Sequence, residues 1–256
     1  MDETGLLALA TELAHRASEA IIAVRARGFE VRAKSDKSPV TEADHAAESI
    51  IAEGLRRATP EIPVIAEEEI AAGRLVTVGC EFWLVDPLDG TREFAAGRDE
   101  FTVNIGLVRD RRPVLGVVAV PAYRELFMAI PGRGAWKRTR EGDTPISARK
   151  PPPSGMAVLA SRHYAKDPQL PIFLQGKRVA SVRHIGSAVK FCRLAEGEAD
   201  LYPRFGRTME WDTAGPQAVL EAAGGHLFLL TGGGPLSYGK PGWENPAFVC
   251  TGRAPL

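Results

Sequence analysis

The residues best suited to chemistry lie in one short run, Asp86-Pro87-Leu88-Asp89-Gly90-Thr91. Pro87 fixes its own φ and stiffens the turn, while Gly90 reaches backbone conformations closed to other residues. Asp86 and Asp89 can then face one point, with the Leu88 carbonyl between them. Hard oxygen donors packed this closely suit Mg²⁺, which takes carboxylates, carbonyls and retained waters. No Cys/His cluster competes in favour of zinc. Gly90 and Thr91 are placed to open a helix, offering backbone N–H groups and a positive dipole end to a phosphate.

Further acids stand at strand ends or helix starts, where side chains can converge on one crevice. Glu67 follows an apolar strand, Asp44 lies just beyond Ser38-Pro39-Val40-Thr41, and Asp212 comes after Trp211 at the opening of a helix. Each has a purely structural reading. Thr41-Glu42-Ala43-Asp44 has the form of a capping box, and Asp212 that of an N-cap. Glu67-Glu68-Glu69 could be a solvated face, and Asp-Pro-x-Asp-Gly is a common turn composition. Capping and metal binding are compatible, and it is the conjunction of these acids that favours a shared site.

The elements that must position them follow from periodicity. Leu6, Leu9, Leu13, Ala17, Ile21 and Val24 predict a helix over 4–26 with Thr4 as its cap. A polar loop at 34–40 leads to a second helix at 42–58. Pro63-Val64-Ile65-Ala66 reads as a strand, and Phe82-Trp83-Leu84-Val85 as a buried one that stops at the Asp-Pro-Leu-Asp-Gly turn. Residues 101–109 and 114–120 predict a hairpin joined by Asp110-Arg111-Arg112-Pro113, and Phe127-Met128-Ala129-Ile130 would extend it. After Pro151-Pro152-Pro153, strands at 156–160, 178–182, 198–202 and 226–230 alternate with helices at 167–175, 186–196 and 212–223. The expected fold class is therefore α/β (α+β), with an α+β subdomain over 1–150 and an α/β subdomain over 151–256.

Composition narrows the function. The 32 basic and 32 acidic residues of the 256-residue chain cancel, so no global field draws it to nucleic acid or membrane. The acidic N-terminus does not have the pattern of a signal or transit peptide, and no run approaches the roughly 18 apolar residues of a transmembrane helix. Cys80, Cys192 and Cys250 are odd in number and lack a CxxC, which predicts reduced thiols and a cytoplasmic protein.

Taken together, the segments resemble the inositol monophosphatase superfamily of Mg²⁺-dependent, lithium-sensitive phosphatases. The matches are Trp83-Leu84-Val85-Asp86-Pro87-Leu88-Asp89-Gly90-Thr91, the Glu67-Glu68 pair, and Trp211-Asp212-Thr213-Ala214-Gly215. Within that superfamily the chain is similar to the bacterial 3′(2′),5′-bisphosphate nucleotidases. That likeness rests on Ser38-Pro39-Val40-Thr41-Glu42-Ala43-Asp44, Glu93-Phe94, Phe101-Thr102-Val103-Asn104-Ile105, Ile185-Gly186-Ser187, Lys190-Phe191-Cys192 and Leu201-Tyr202-Pro203-Arg204-Phe205-Gly206. The chain departs from the family's Ser-Arg-Ser-His by reading Ser161-Arg162-His163-Tyr164, which places Tyr164 at the histidine and leaves His163 as a surface or loop residue.

The resemblance implies an αβαβα sandwich of the inositol monophosphatase and fructose bisphosphatase type. It implies that adenosine 3′,5′-bisphosphate, a by-product of sulfate assimilation, is converted to AMP and phosphate. Glu67, Asp86 and the Leu88 carbonyl would hold one Mg²⁺, and Asp86, Asp89 and Asp212 a second. Asp44 would act with Glu67 through waters, with room for a weaker third ion. Thr91, Glu67 and Asp44 would serve catalysis; Gly90, Thr91, Ser187, Lys190, Arg204 and Asp212 would contact the substrate. Ser187 and Lys190, three apart, are expected on one helix face. The partner is a small nucleotide rather than a nucleic acid; oligomerisation and peripheral contact with the inner membrane are left open. The competing readings are an inositol or sugar monophosphatase with the same metal site, and a non-catalytic nucleotide- or metal-binding regulator.

Overall fold

The computed structural model describes residues 1–34 and 39–253, so Ser38 and most of the polar loop at 34–40 lie outside the described residues. Helix α1 (Glu3–Arg27) buries Leu6, Ala10, Leu13, Ala17, Ile21 and Val24 along one stripe. Its cap is Asp2, whose carboxylate accepts from Gly5 N at 2.8 Å. Thr4, expected as the cap, lies inside the first turn, because an aspartate two residues earlier already satisfies the free N–H. A small hairpin of β1 (Val31–Ala33) and β2 (Pro39–Thr41) leads into α2 (Glu42–Ala58). The Thr41–Asp44 capping box is present at its start.

The next elements are β3 (Val64–Ala66), α3 (Glu67–Ala71), β4 (Glu81–Asp89), α4 (Thr91–Ala95), β5 (Thr102–Arg109), β6 (Arg112–Val120), β7 (Glu125–Ile130), β8 (Gly134–Thr139) and β9 (Gly142–Ile146). The seven strands form one sheet in sequence order, antiparallel except for the parallel β3–β4 pair. The β5–β6 turn is only Asp110-Arg111, both at positive φ (49° and 64°), the conformation of a type I′ hairpin. Arg112 and Pro113, expected in the connection, belong to β6, where a register shift accommodates the proline. β4 also corrects an expectation. It does not stop before the Asp-Pro-Leu-Asp segment but runs through it, with a bulge between Asp86 and Asp89. A bulge re-aims side chains without ending the pairing.

The second half comprises β10 (Met156–Ser161), α5 (Gln169–Leu174), β11 (Val179–Ile185), α6 (Val189–Ala195), β12 (Leu201–Arg204), β13 (Thr208–Met209), α7 (Ala214–Ala222), β14 (His226–Leu229), β15 (Glu244–Asn245) and β16 (Phe248–Thr251). Its sheet is ordered β11-β10-β12-β16-β14, and β13 with β15 makes a separate ribbon.

Strand burial on both faces sets the layering. Trp83 and Val85 of β4 join a core with α1 and α2, whereas Phe82 and Leu84 join another with α6, α7 and the second sheet. A third cluster, Val158, Leu201 and Val249, packs Phe173 and Leu174 around α5. The result is five layers, αβαβα. Within it α7 lies unusually close to the first sheet: a Cβ on Gly116 would stand 2.2 Å from the Gly215 carbonyl. Glycine on both sides lets that backbone contact exist, and it sets the height of the Asp212 turn just before α7.

Candidate active site

The site is a cavity of about 310 Å³ where the bulge of β4 and the start of α4 meet the turn before α6, the end of β12 and the turn before α7. Glu67, Asp86, Asp89 and Asp212 line it, and so do Gly90, Thr91, Ser187, Lys190 and Arg204. Residues distant in sequence thus share one wall-to-wall space. Gly90 shows how tightly: at φ 92° it precedes α4, and an added Cβ would meet Ser187 Cβ at 3.2 Å and Glu100 O at 3.0 Å.

The bulge arranges its own donors. Asp86, 1% exposed, accepts from Leu88 N at 3.0 Å through Oδ1. The Leu88 carbonyl accepts from Thr91 Oγ1 at 3.1 Å, and the same hydroxyl lies 3.0 Å from Asp44 Oδ1. Asp44 is thereby joined to the bulge, although it sits on α2. Its Oδ2 accepts from Thr41 N and Thr41 Oγ1, both at 2.7 Å. The capping role and the site role fall on opposite oxygens of one carboxylate. Burial raises the Asp44 pKa, against the hydrogen bonds from Thr41 and Thr91.

The other acids are fixed by backbone. Asp89 Oδ2 accepts from Ala188 N at 2.7 Å and from Thr102 Oγ1 at 3.4 Å. Asp212 ends a one-turn 3₁₀ helix, Glu210–Asp212, and accepts from Met209 N at 2.9 Å. It is the last residue of that turn and not the cap of α7, which begins at Ala214. Glu67 opens α3, and its carboxylate lies 2.7 Å from Lys34 Nζ, which also reaches Glu68 at 2.6 Å.

The electrostatics report that these acids face one another. Burial, then the charges of Glu67, Asp89 and Asp212, push Asp86 well above the ordinary carboxylate range. Burial raises Asp89 to about 6 despite the nearby Lys190 and the Ala188 N–H. Burial with Asp89 and Glu67 raises Asp212 to about 8. Burial would lower Lys34, but Glu67 and Glu68 outweigh it and raise its pKa. Among the described residues, no three carboxylate, imidazole or thiol groups already close on one point at coordination geometry. Mutual repulsion and the Lys34 ion pair oppose that closure. The donor set is nevertheless all oxygen and strongly acidic, and excess negative charge of this kind fits a hard divalent cation.

The same cavity also has bases in its lining. Lys190 is 2% exposed, its Nζ donates to Ser187 O (2.6 Å) and Ile185 O (3.2 Å), and it lies 5.0 Å from the Tyr202 ring centroid. Burial, assisted by Arg204, lowers its pKa to about 8. Ser187 does not share a helix with it. At φ 45° Ser187 belongs to the turn before α6, because the chain must reverse there to bring Ala188 N onto Asp89. Arg204 donates to Arg207 O at 2.7 Å and stacks 4.7 Å over Tyr164; its buried Nε has no partner among the described residues. His163 is exposed, with Nε2 2.6 Å from Arg92 Nη1, and both His163 and Tyr164 line the cavity.

Several further residues hold the site together, most of them without a clear signal in the sequence. Lys34 gave no signal, since its importance depends on a hairpin folding back onto α3. Glu48 had one: it lies four residues after Asp44, on the same face of α2. Its Oε2 accepts from Glu68 N at 2.8 Å, so it holds the start of α3. Glu210, fully buried, accepts from Gly239 N, Lys240 N and Lys240 Nζ, anchoring the Asp212 turn.

Comparison with known proteins identifies relatives of the whole chain. The inositol monophosphatase family profile matches residues 2–251. The 3′(2′),5′-bisphosphate nucleotidase CysQ of Salmonella typhimurium is 44% identical over 218 residues, covering 84% of this chain and 87% of that protein. Its counterpart of the same name from Escherichia coli O157:H7 is 43% identical over 240 residues, or 93% and 96% of the two chains. The crystal structure of CysQ from Bacteroides thetaiotaomicron superposes with a TM-score of 0.81 at 33% identity, covering 98% of each chain.

Proposed function

The chain belongs to the inositol monophosphatase family, and we propose that it is a 3′(2′),5′-bisphosphate nucleotidase. In this reading it hydrolyses the 3′-phosphate of adenosine 3′,5′-bisphosphate to give AMP and phosphate. One observation carries the reading: a single cavity is lined both by the acids and by Lys190 and Arg204. A substrate with two separated phosphates suits a lining that holds both kinds of group. Its reacting phosphate would lie among the acids, bridged by cations, and its second would meet the bases directly. The relatives named as nucleotidases support the same choice.

Glu67, Asp86 and the Leu88 carbonyl would hold one Mg²⁺, and Asp86, Asp89 and Asp212 another; Asp44 would complete a third, weaker position through water. When bound, the ions supply positive charge that polarises the phosphoryl group, acidifies water and steadies the leaving ribose oxygen. The chain's own residues do the positioning. The single proton of the Thr91 hydroxyl goes to Asp44 or to the Leu88 carbonyl, leaving an oxygen lone pair that accepts from the attacking water. Glu67 accepts from the same water and fixes its approach. The N–H groups after Gly90 meet the phosphoryl oxygens. Phosphoryl transfer mainly needs alignment and charge neutralisation, so no covalent intermediate on a side chain is required.

Lys190 has three N–H donors, of which two are spent on the Ser187 and Ile185 carbonyls. It would order the Ser187 turn and give its remaining donor to the 5′-phosphate. Arg204, with its unpartnered Nε, would supply the larger share. Phosphate release from adenosine 3′,5′-bisphosphate, inositol 1-phosphate and fructose 1,6-bisphosphate, measured across a Mg²⁺ titration, tests the assignment. The nucleotide should be preferred, with no turnover in EDTA; preference for either of the others would overturn it.

A further inference from the structure

The side chain of Asn104 is completely buried in the middle of β5. Among the described residues, neither its Nδ2 nor its Oδ1 has a hydrogen-bond partner. An amide in that condition has lost its water partners and gained none, so an apolar residue of similar size would cost folding less. Its strand neighbours Val103 and Ile105 are apolar core, and Val118 stands opposite it on β6. Packing alone gives no reason for an amide here.

The register of the sheet supplies one. In the β4–β5 ladder Asn104 is directly opposite Asp86, and Thr102 directly opposite Asp89. Opposed residues of an antiparallel pair project to the same face. Two acid–polar pairs therefore stand close together under the cavity. In the Asp89 pair the hydrogen bond is made, from Thr102 Oγ1 to Asp89 Oδ2 at 3.4 Å. The turn carrying Asp212 packs on both strands, so the Asn104 amide is enclosed beside Asp86 with its donors unspent.

We propose that Asn104 is a positioning residue for Asp86: when a divalent cation shared with Asp89 and Asp212 binds, the unspent Nδ2–H donates to the Asp86 carboxylate and holds it toward the ion. This rests on the metal-site reading above. The residue type matters, because the position needs a donor that adds no charge. A carboxylate there would add to the repulsion among the acids, and an ammonium would compete with the ion, as Lys34 does at Glu67. A short neutral amide does neither. Partners that orient ligating carboxylates change metal affinity by roughly 10–100-fold when removed.

The test is Mn²⁺ binding to the full chain by titration calorimetry, without substrate, beside thermal melting in EDTA. Asn104→Leu should melt at or above the wild-type temperature, because the unpaired amide is gone, yet bind Mn²⁺ at least about 10-fold more weakly. Asn104→Ser retains a hydroxyl donor and should recover part of that affinity. If Asn104→Leu does not fold, Asn104→Ala replaces it and its Mn²⁺ affinity decides in the same way. Wild-type affinity in the apolar variant would overturn the role of Asn104 alone. Absence of Mn²⁺ binding in the wild-type protein would overturn the metal-site reading and this role with it.

Discussion

Replacing Asp212 with asparagine should raise stability and abolish function, and both effects can be sized. Burial, then Asp89 and Glu67, raise the Asp212 carboxyl to about 8 from an ordinary 3.8. Between those values the native state holds a proton that the unfolded state has released. Stability therefore falls as pH rises through that window, and the full cost is present above it. By pH 7 about 3 units have been crossed, which at 1.36 kcal/mol per unit is about 4 kcal/mol. Solvent screening at a half-buried carboxylate trims this to about 2–3 kcal/mol. Asparagine has no charge to desolvate, and its carbonyl can still accept from Met209 N. In EDTA at pH 7 the variant should melt roughly 5–10 °C higher, at the 2–4 °C per kcal/mol expected for a chain of this size. The gap should close toward pH 4. Saturating Mg²⁺ should stabilise the wild type more than the variant, whose turnover should fall by orders of magnitude. The assay is calorimetric melting from pH 4 to 8, with EDTA or Mg²⁺, beside phosphate release. Equal or lower melting of the variant in EDTA at pH 7 would refute the electrostatic argument, and near-normal turnover at saturating Mg²⁺ would refute the metal assignment.

Thr91→Val keeps the shape of the side chain but removes the hydroxyl that joins Asp44 to the bulge; kcat should fall by roughly 10²–10³-fold, and Thr91→Ser should restore most of it. Burial raises Glu48 to about 7, against the hydrogen bond from Glu68 N. The native state thus binds an extra proton between about 4.5 and 7, and stability declines with pH across that range. Glu48→Gln should flatten this decline and gain up to about 3 kcal/mol at pH 7, read from urea unfolding at pH 4.5, 5.5 and 7; an unchanged slope would show that Glu48 stays ionised. Gly116→Ala would put a methyl 2.2 Å from the Gly215 carbonyl, costing about 1–3 kcal/mol or more. Because α7 carries the Asp212 turn, the same change should weaken Mg²⁺ activation, and normal activation in a destabilised variant would uncouple the two.

Local signals in the sequence were enough for much of the framework. The α2 helix, the strand at Val64–Ala66 and the hairpin β5–β6 follow from periodicity and caps, because each depends on neighbours a few residues away. β8, β9 and β16 carry no such local signal, for the complementary reason. β8 is largely polar and half-buried, β9 is almost wholly exposed, and β16 is a four-residue strand whose existence depends on pairing with β12 and β14. The bulge in β4 looked like a terminating turn, since Asp-Pro-x-Asp-Gly carries turn chemistry whether or not the ladder resumes beyond it.

By itself, the sequence determined that acids stand at Glu67, Asp86, Asp89 and Asp212 and that a stiff, glycine-closed segment presents two of them. It also determined which family the motifs resemble, because spacing within a segment is a local property. Tertiary structure alone decided that these acids share one cavity and shift one another's ionisation. It decided that Asp44 touches the bulge through Thr91, that Lys190 is buried with two donors already engaged, and that Asn104 lies beside Asp86. Those facts depend on sheet register and on the backbone contact between Gly116 and Gly215. Register and close approach bring together residues tens to a hundred positions apart, and no local pattern of side chains encodes them.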